Sequence, residues 1–155
     1  MTKVLIATDG SKYSNQAVDY GVGIAKKLES DVIGLYVINI KVLEIYALEH
    51  HDNISGYESE NSRLKKEGED ALVYLAEKCT SVGVKVTTTI TRGYPAEEIL
   101  KIAEAEKTDL IIVGNLGKTN LEYMFMGSVS ETVVKRSPCP VLVVRGNMGE
   151  ARTTL

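Results

Sequence analysis

Leu110-Ile111-Ile112-Val113-Gly114-Asn115-Leu116-Gly117-Lys118-Thr119 carries the decision about the fold. Four consecutive apolar residues, rich in β-branched side chains, read as a strand covered on both faces, which is the habit of parallel sheets packed between helices. The glycines that follow mark a turn at the carboxyl end of that strand. Four more short apolar runs share the character of 110–113: Val4–Thr8, Val32–Ile38, Val84–Ile90 and Val141–Val144. Val84–Ile90 alternates with Lys85, Thr87 and Thr89, the pattern of an exposed edge strand. Val141–Val144 is apolar throughout, although simple winding puts it at the opposite edge, where an unpaired apolar strand is a liability unless something covers it. A homodimer in which this strand meets its twin is therefore expected.

The segments between these runs have helical periodicity. Ala17, Val18, Gly21, Ile24, Ala25 and Leu28 recur at three and four, with Ser11 or Ser14 near the start. Leu64, Gly68, Ala71, Leu72, Leu75, Cys79 and Val82 do the same, and Gly83 follows as a stop. Pro95 suits a first helical turn, with Glu97 and Glu98 at the positive helix end. A fourth helix begins near Ser128, where Ser128 and Glu131 have capping-box spacing and Lys135-Arg136 close the far end. Strand and helix alternate, so the fold class is α/β: a three-layer, open, parallel five-stranded sheet with helices on both faces. Residues 39–56 read as the one long irregular stretch, a variable lid or interface segment within which Val42–Leu48 has the makings of a short helix.

Composition sets outer bounds. The chain has 155 residues, 44% hydrophobic and 25% charged, which suits a single globular domain. We assign that domain to residues 1–147, with 148–155 as a C-terminal tail. Lys+Arg 18 against Asp+Glu 21 leaves a net charge of -3, so no basic field is present to hold a nucleic-acid backbone. The first apolar run is cut at Asp9, too short for a signal peptide, and no run approaches a membrane span. The expectation is a cytoplasmic protein with no membrane or nucleic-acid partner, its two cysteines, Cys79 and Cys139, reduced and structural.

In open parallel sheets a ligand binds beyond the carboxyl ends of the strands, where strand order reverses. The loops to inspect are Asp9-Gly10-Ser11 after the first strand, Asn39 after the second, and Gly114 to Thr119 after the fourth, with Gly127-Ser128 opening the next helix. Gly114 and Gly117 let the backbone approach a ligand closely, and the N–H groups and dipole of a helix starting at Gly127 attract phosphate. Ser128 and Ser130 offer hydroxyl donors, and Lys118 a positive charge. The alternative for each residue singly is structural: turn glycines, a helix cap, and Asp9 holding the Gly10-Ser11 turn. Two familiar phosphate motifs do not fit. A Walker A loop ending at Gly117-Lys118-Thr119 needs glycine where Ile112 stands, and Gly21-Val22-Gly23 lies inside an amphipathic helix and is followed by Lys26.

The spacing Gly114-x2-Gly117-x9-Gly127-Ser128 resembles the ATP-binding signature of the universal stress protein family. The resemblance extends to Val4–Ser11, the Gly93-Tyr94-Pro95 turn, the strand Asp109–Gly114 and the closing Ser137–Val144, so it covers nearly the whole chain. It implies a Rossmann-like sheet of order 3-2-1-4-5, dimerisation through the last strand, and ATP, with Mg or Mn as accompanying cation, bound across the first, second and fourth strand ends. By matching position it places Ala7 and Asp9 by the nucleoside and sets the Val37 backbone against adenine. Val113, Gly114 and Gly117 then line the path to the phosphates, which Gly127, Ser128, Val129 and Ser130 hold. The family often has Ser-His between the first two glycines, where this chain has Asn115-Leu116; any contact made by that histidine is absent here.

The residues favour binding over turnover. Phosphoryl transfer needs a held metal and a group that positions the nucleophile, and Asp9 is the only carboxylate these loops supply. His50-His51, beside Glu49 and Asp52, reads as a solvated surface, since adjacent histidines point apart. A nucleotide-dependent regulatory or stress-response module is thus expected, with slow or partner-dependent hydrolysis at most. The alternative is an ATPase or nucleotidyl-transferring enzyme using the same pocket. A phosphoacceptor receiver domain is set aside because Thr91-Arg92-Gly93 and Arg145 stand where its aspartate and lysine belong.

Overall fold

The computed structural model describes residues 2–50, 54–115 and 127–145. Its strands are β1 (Lys3–Ala7), β2 (Asp31–Asn39), β3 (Val86–Gly93), β4 (Leu110–Gly114) and β5 (Val141–Val144). Its helices are α1 (Lys12–Lys27), α2 (Ile40–Glu49), α3 (Ile54–Ser81), α4 (Pro95–Ala105) and α5 (Ser128–Arg136). The sheet has the order β3-β2-β1-β4-β5, and every pairing is parallel.

Strand alternation divides the core into two layers. On one face Val4, Ile6, Val32, Ile112 and Val144 pack with Ala17, Val18, Val22 and Ala25 of α1 and with Leu75 and Cys79 of α3. On the other, Leu5, Leu35, Ile111 and Val113 pack with Ile99 and Ala103 of α4 and Val133 of α5. This explains the all-apolar run of β4, whose successive side chains enter opposite cores. β5 is likewise divided, Leu142 and Val144 toward α1 and Val141 and Val143 toward α4 and α5, but at the sheet edge only Val144 is buried. β3 is the other edge, with Thr87 and Thr88 exposed.

Two glycines make the α3–β2 contact reciprocal. A Cβ on Gly34 of β2 would lie 2.7 Å from Leu75 of α3, and one on Gly68 of α3 would lie 2.5 Å from the Tyr36 ring of β2. Each element thus gives up a side chain where the other inserts a large one. Cys79 is fully buried beneath this contact and free of any disulfide, and burial pushes its thiol up to about 11. The folded state therefore keeps a proton that the unfolded chain releases near its ordinary value of 9.0, and its stability falls as pH rises from there toward about 11. In native protein at pH 8, Cys79 should resist a thiol reagent such as dithionitrobenzoate for hours and react within seconds in guanidinium. Rapid native labelling assigned to Cys79 by peptide mapping would contradict its burial.

Two local expectations need correction. The described part of 39–56 is mostly helical: α2 contains the Val42–Leu48 segment expected as a short helix and extends it to Ile40–Glu49, and α3 begins at Ile54, ten residues before the first periodic apolar position. Between Gly56 and Arg63 this part of α3 has no fully buried side chain and only Tyr57 packs against the core, so its sequence lacks the pattern of a helix packed along its whole length. Asn39 starts α2 by accepting the Lys41 N–H at 3.0 Å on Oδ1, which leaves Leu43 buried while Val42, Ile45 and Leu48 remain exposed. The Ser128–Glu131 capping box does not form. Gly127 holds the cap position, Ser128 is the first helical residue, and the Glu131 carboxylate turns to Lys135 at 2.9 Å.

Candidate functional site

β2 runs on to Asn39 whereas its ladder with β1 closes at Ala7 and Leu35, extended only by the Thr8 N–H to the Leu35 carbonyl at 3.0 Å. β1 then leads into α1 on one face of the sheet, and β4 leads toward α5 on the other. Chains departing to opposite faces open a crevice between β1 and β4, the place where an open α/β sheet accepts a ligand. A cleft of about 300 Å³ lies there, at the small end of the usual range for ligand sites.

Of the ten residues singled out in the sequence, nine line this cleft: Ala7, Asp9, Val37, Val113, Gly114, Gly127, Ser128, Val129 and Ser130. Gly117, with Lys118, lies outside the described residues. Thr8, Ser14, Leu35, Asn39, Val42, Pro95, Ile99 and Asn115 complete the lining. Some of these were within reach of the sequence. Leu35 and Asn39 share a strand face with Val37 by period two, and Ile99 lies one helical turn past Pro95. Val42 lies in the stretch expected to be a lid or interface segment, and α2 brings it into the lining.

The walls differ in chemistry. Leu35, Val37, Val42, Pro95, Ile99 and Val113 offer an apolar slot suited to a flat ring. Thr8, Asp9, Ser14, Asn39, Ser128 and Ser130 give the rest of the lining polar character. Residues alternate in the direction of their backbone groups along a strand, so Val37 directs its N–H and C=O to the same side as Leu35, toward the space that β1 has vacated.

The first-strand loop is held by its own side chains. Asp9 Oδ1 accepts the Ser11 N–H at 2.9 Å and the Ser14 hydroxyl at 2.7 Å, and Gly10, at φ 80°, donates its N–H to Thr8 Oγ1 at 3.2 Å. Ser11 caps α1 through the Ser14 N–H at 3.2 Å. Asp9 therefore shapes the turn, and the same carboxylate borders the cleft.

The N-terminus of α5 is fastened to the end of β4. The Gly127 N–H donates to the Asn115 carbonyl at 2.6 Å, and the Asn115 N–H donates to the Val144 carbonyl of β5 at 2.9 Å. The Ser130 hydroxyl donates to the Gly114 carbonyl. The first bond within the helix is from the Glu131 N–H to the Gly127 carbonyl at 3.0 Å. The N–H groups of Ser128, Val129 and Ser130 precede it, and groups in the first turn of a helix find no acceptor within their own helix, which makes this helix end a donor cluster with a positive dipole. On the rim, the Tyr94 hydroxyl reaches Glu44 of α2 at 3.0 Å, and that bond raises the Tyr94 pKa.

Residues 1–145 match the family model described as the universal stress protein family. The chain belongs to that family. Among its relatives is universal stress protein MJ0531 of Methanocaldococcus jannaschii, 38% identical over 143 residues that span 92% of this chain and 81% of that one. Universal stress protein MJ0577 of the same organism is 36% identical, over 92% of this chain and 94% of its own. The solved structure of MJ0577 superimposes with a TM-score of 0.77 at 34% identity, covering 96% of this chain and 98% of that one. Another universal stress protein, solved in complex with cAMP, gives a TM-score of 0.63 at 25% identity, covering 93% and 96% of the two chains. The strand order and the cleft at its reversal are thus the universal stress protein fold in this chain.

His50, read in the sequence as part of a solvated surface, stacks on Tyr46 with ring centroids 4.2 Å apart, and its Nδ1 lies 3.1 Å from the Tyr46 carbonyl. Its neighbour His51 lies outside the described residues. Among the described residues no group of three His, Cys, Asp or Glu side chains gathers as a metal site, and no helix is long and apolar enough to cross a membrane.

Proposed function

We propose that this universal stress protein binds an adenine nucleotide, ATP foremost, in the cleft between β1 and β4, and acts as a nucleotide-dependent regulatory module. The observation that carries the reading is the meeting of an apolar slot with the donor cluster of α5 in one cleft at the sheet's switch point. An adenine ring enters between Val37 and the α4 residues Pro95 and Ile99, where the Val37 backbone offers one donor and one acceptor to the ring edge. Asp9 and Thr8 stand beside the ribose. The phosphates meet the N–H groups of Ser128, Val129 and Ser130 and the Ser128 hydroxyl, with Gly114 and Gly127 keeping side chains out of the path. The cAMP complex of a relative gives independent support for a nucleotide in this family.

The donor set fits the anion better than it fits a metal. Backbone N–H groups at a helix N-terminus hold phosphate without a net cation, whereas Asp9 already spends Oδ1 on two bonds within its own loop. A Mg or Mn ion would be held mainly by the phosphates, with Asp9 as its one side-chain ligand, and would neutralise phosphate charge. Efficient hydrolysis would require a group to orient water at the terminal phosphate, which makes binding with slow turnover the expected behaviour. Calorimetric titration with ATP, ADP and AMP, with and without Mg, should give saturable 1:1 binding below millimolar ATP and fewer than one phosphate released per protein per minute. Absence of binding at millimolar ATP would overturn the nucleotide reading; rapid multiple turnover would replace the regulatory module with an enzyme.

We further propose that the protein is a cytoplasmic homodimer joined at β5. The support is the half-exposed apolar strand at the sheet edge, with Val141, Leu142 and Val143 each incompletely buried. Sedimentation at micromolar concentration should show a dimer that Leu142→Lys converts to monomer. A wild-type monomer at that concentration contradicts the proposal.

A further inference from the structure

The Ser130 side chain bears on how the α5 cradle is built. By family resemblance it belongs among the groups that hold phosphate, and its position in the lining agrees with that. Its hydroxyl proton, however, is committed to the Gly114 carbonyl, sixteen residues away in sequence. Ser130 is 5% exposed, so water has little access to exchange with that bond. A hydroxyl has one proton to donate. A terminal phosphate at neutral pH is almost wholly an acceptor. While the bond to Gly114 stands, the Ser130 hydroxyl has nothing to give a phosphate oxygen.

The bond does something else. The Gly127 N–H goes to the Asn115 carbonyl at 2.6 Å, so the first turn of α5 is pinned to two successive carbonyls at the end of β4. One pin lies at the cap and the other three residues on. Between them sit the N–H groups that face the cleft. Two fastenings fix both the position and the rotation of a helical turn about its axis, and one would leave it free to pivot.

We propose that the Ser130 side chain is a positioning group, which aims the backbone donors of α5 at the phosphates and makes no phosphate contact itself. The inference rests on the nucleotide reading above and specifies how the site works. It separates Ser130 from Ser128, whose hydroxyl sits at the first helical position and carries the side-chain contact. It also predicts that losing the Ser130 hydroxyl disturbs the ligand-free protein, which a lost phosphate contact would not do.

The test compares wild type with Ser130→Ala, Ser130→Thr and Ser128→Ala. Dissociation constants for ATP and adenosine are measured by calorimetry, and exchange of the Gly127 amide by NMR without nucleotide. Ser130→Ala should weaken ATP about tenfold and adenosine less than twofold, and should speed Gly127 exchange at least tenfold in the free protein. Ser130→Thr, which keeps a hydroxyl on the same carbon, should restore both. Ser128→Ala should weaken ATP while leaving Gly127 exchange at the wild-type rate. If Ser130→Ala weakens ATP with Gly127 exchange unchanged, the hydroxyl is a direct ligand and the proposal is overturned. Unchanged ATP affinity in Ser130→Ala overturns it equally. A wild type that binds neither ATP nor adenosine defeats the nucleotide reading itself, and is distinguished from both by the wild-type titration alone.

Discussion

Gly127→Val should abolish high-affinity ATP binding, raising the dissociation constant about 100-fold or more, while the protein stays folded. Gly127 caps α5 at φ -75°, a conformation open to any residue, so backbone strain is not the cause. The cause is space. A Cβ at this position would lie 3.4 Å from the Asn115 carbonyl oxygen, an ordinary contact that alanine can make. Valine adds two methyl groups beyond that carbon, and with the carbonyl on one side they are driven toward the cleft that Gly127 lines. There they stand where phosphate would meet the N–H groups of Ser128 and Val129. Losing two charge-assisted hydrogen bonds costs about 3 kcal/mol or more, which is about a factor of 100. Gly127→Ala should cost no more than about threefold, since alanine is only a poorer cap than glycine. The check is calorimetry on both variants with thermal unfolding as control. Equal affinity in Gly127→Val and wild type would place the phosphates elsewhere.

Gly68→Ala should be the most damaging of the conservative changes to the fold. On an exposed helix surface the substitution is favourable by about 1 kcal/mol, because alanine lowers the entropy of the unfolded chain. Here the added carbon would lie 2.5 Å from Cδ1 and 2.8 Å from Cε1 of Tyr36, a ring only 1% exposed and unable to move aside without disturbing α2 and α3. Overpacking of this kind costs about 3 kcal/mol, at the upper end of what inserted methylene groups cause. The net expectation is a loss of about 2 kcal/mol, or a fall in Tm of about 4–8 °C for a chain of this size. The pair Gly68→Ala with Tyr36→Val should be less destabilised than the sum of its single changes by about 1 kcal/mol, since the smaller side chain vacates the space. Additive losses in thermal and urea unfolding would show that the ring is not what the new carbon meets.

The two glycines illustrate different kinds of legibility. Gly127 was conspicuous because its distance from Gly114 and its place before Ser128 form a pattern along the chain. Gly68 appeared only as one member of a helical stripe, and nothing in its neighbourhood says that a tyrosine from β2 occupies its place. Spacing is a property of the chain, whereas the partner of a missing side chain belongs to the packed molecule.

The same division runs through the whole protein. Hydrophobic patterning alone settled much: the unbroken apolar run 110–113 for a strand buried on both faces, the alternating threonines of β3 for an edge, and hence a parallel α/β sheet whose loops gather at one end. Those readings hold because burial is decided residue by residue, and periods of two and of three to four survive in the sequence. Family resemblance supplied the strand order, which no periodicity encodes. Only the tertiary structure decided that α2 runs from Ile40 to Glu49 and that α3 starts as early as Ile54, since α2 buries little beyond Leu43. Only it decided that Ser128 yields the cap to Gly127, and that the Ser130 proton goes to Gly114. A hydroxyl in a motif can donate to a ligand or to the protein. Which it does depends on a carbonyl brought near by the fold, and that distance is not written in the order of residues.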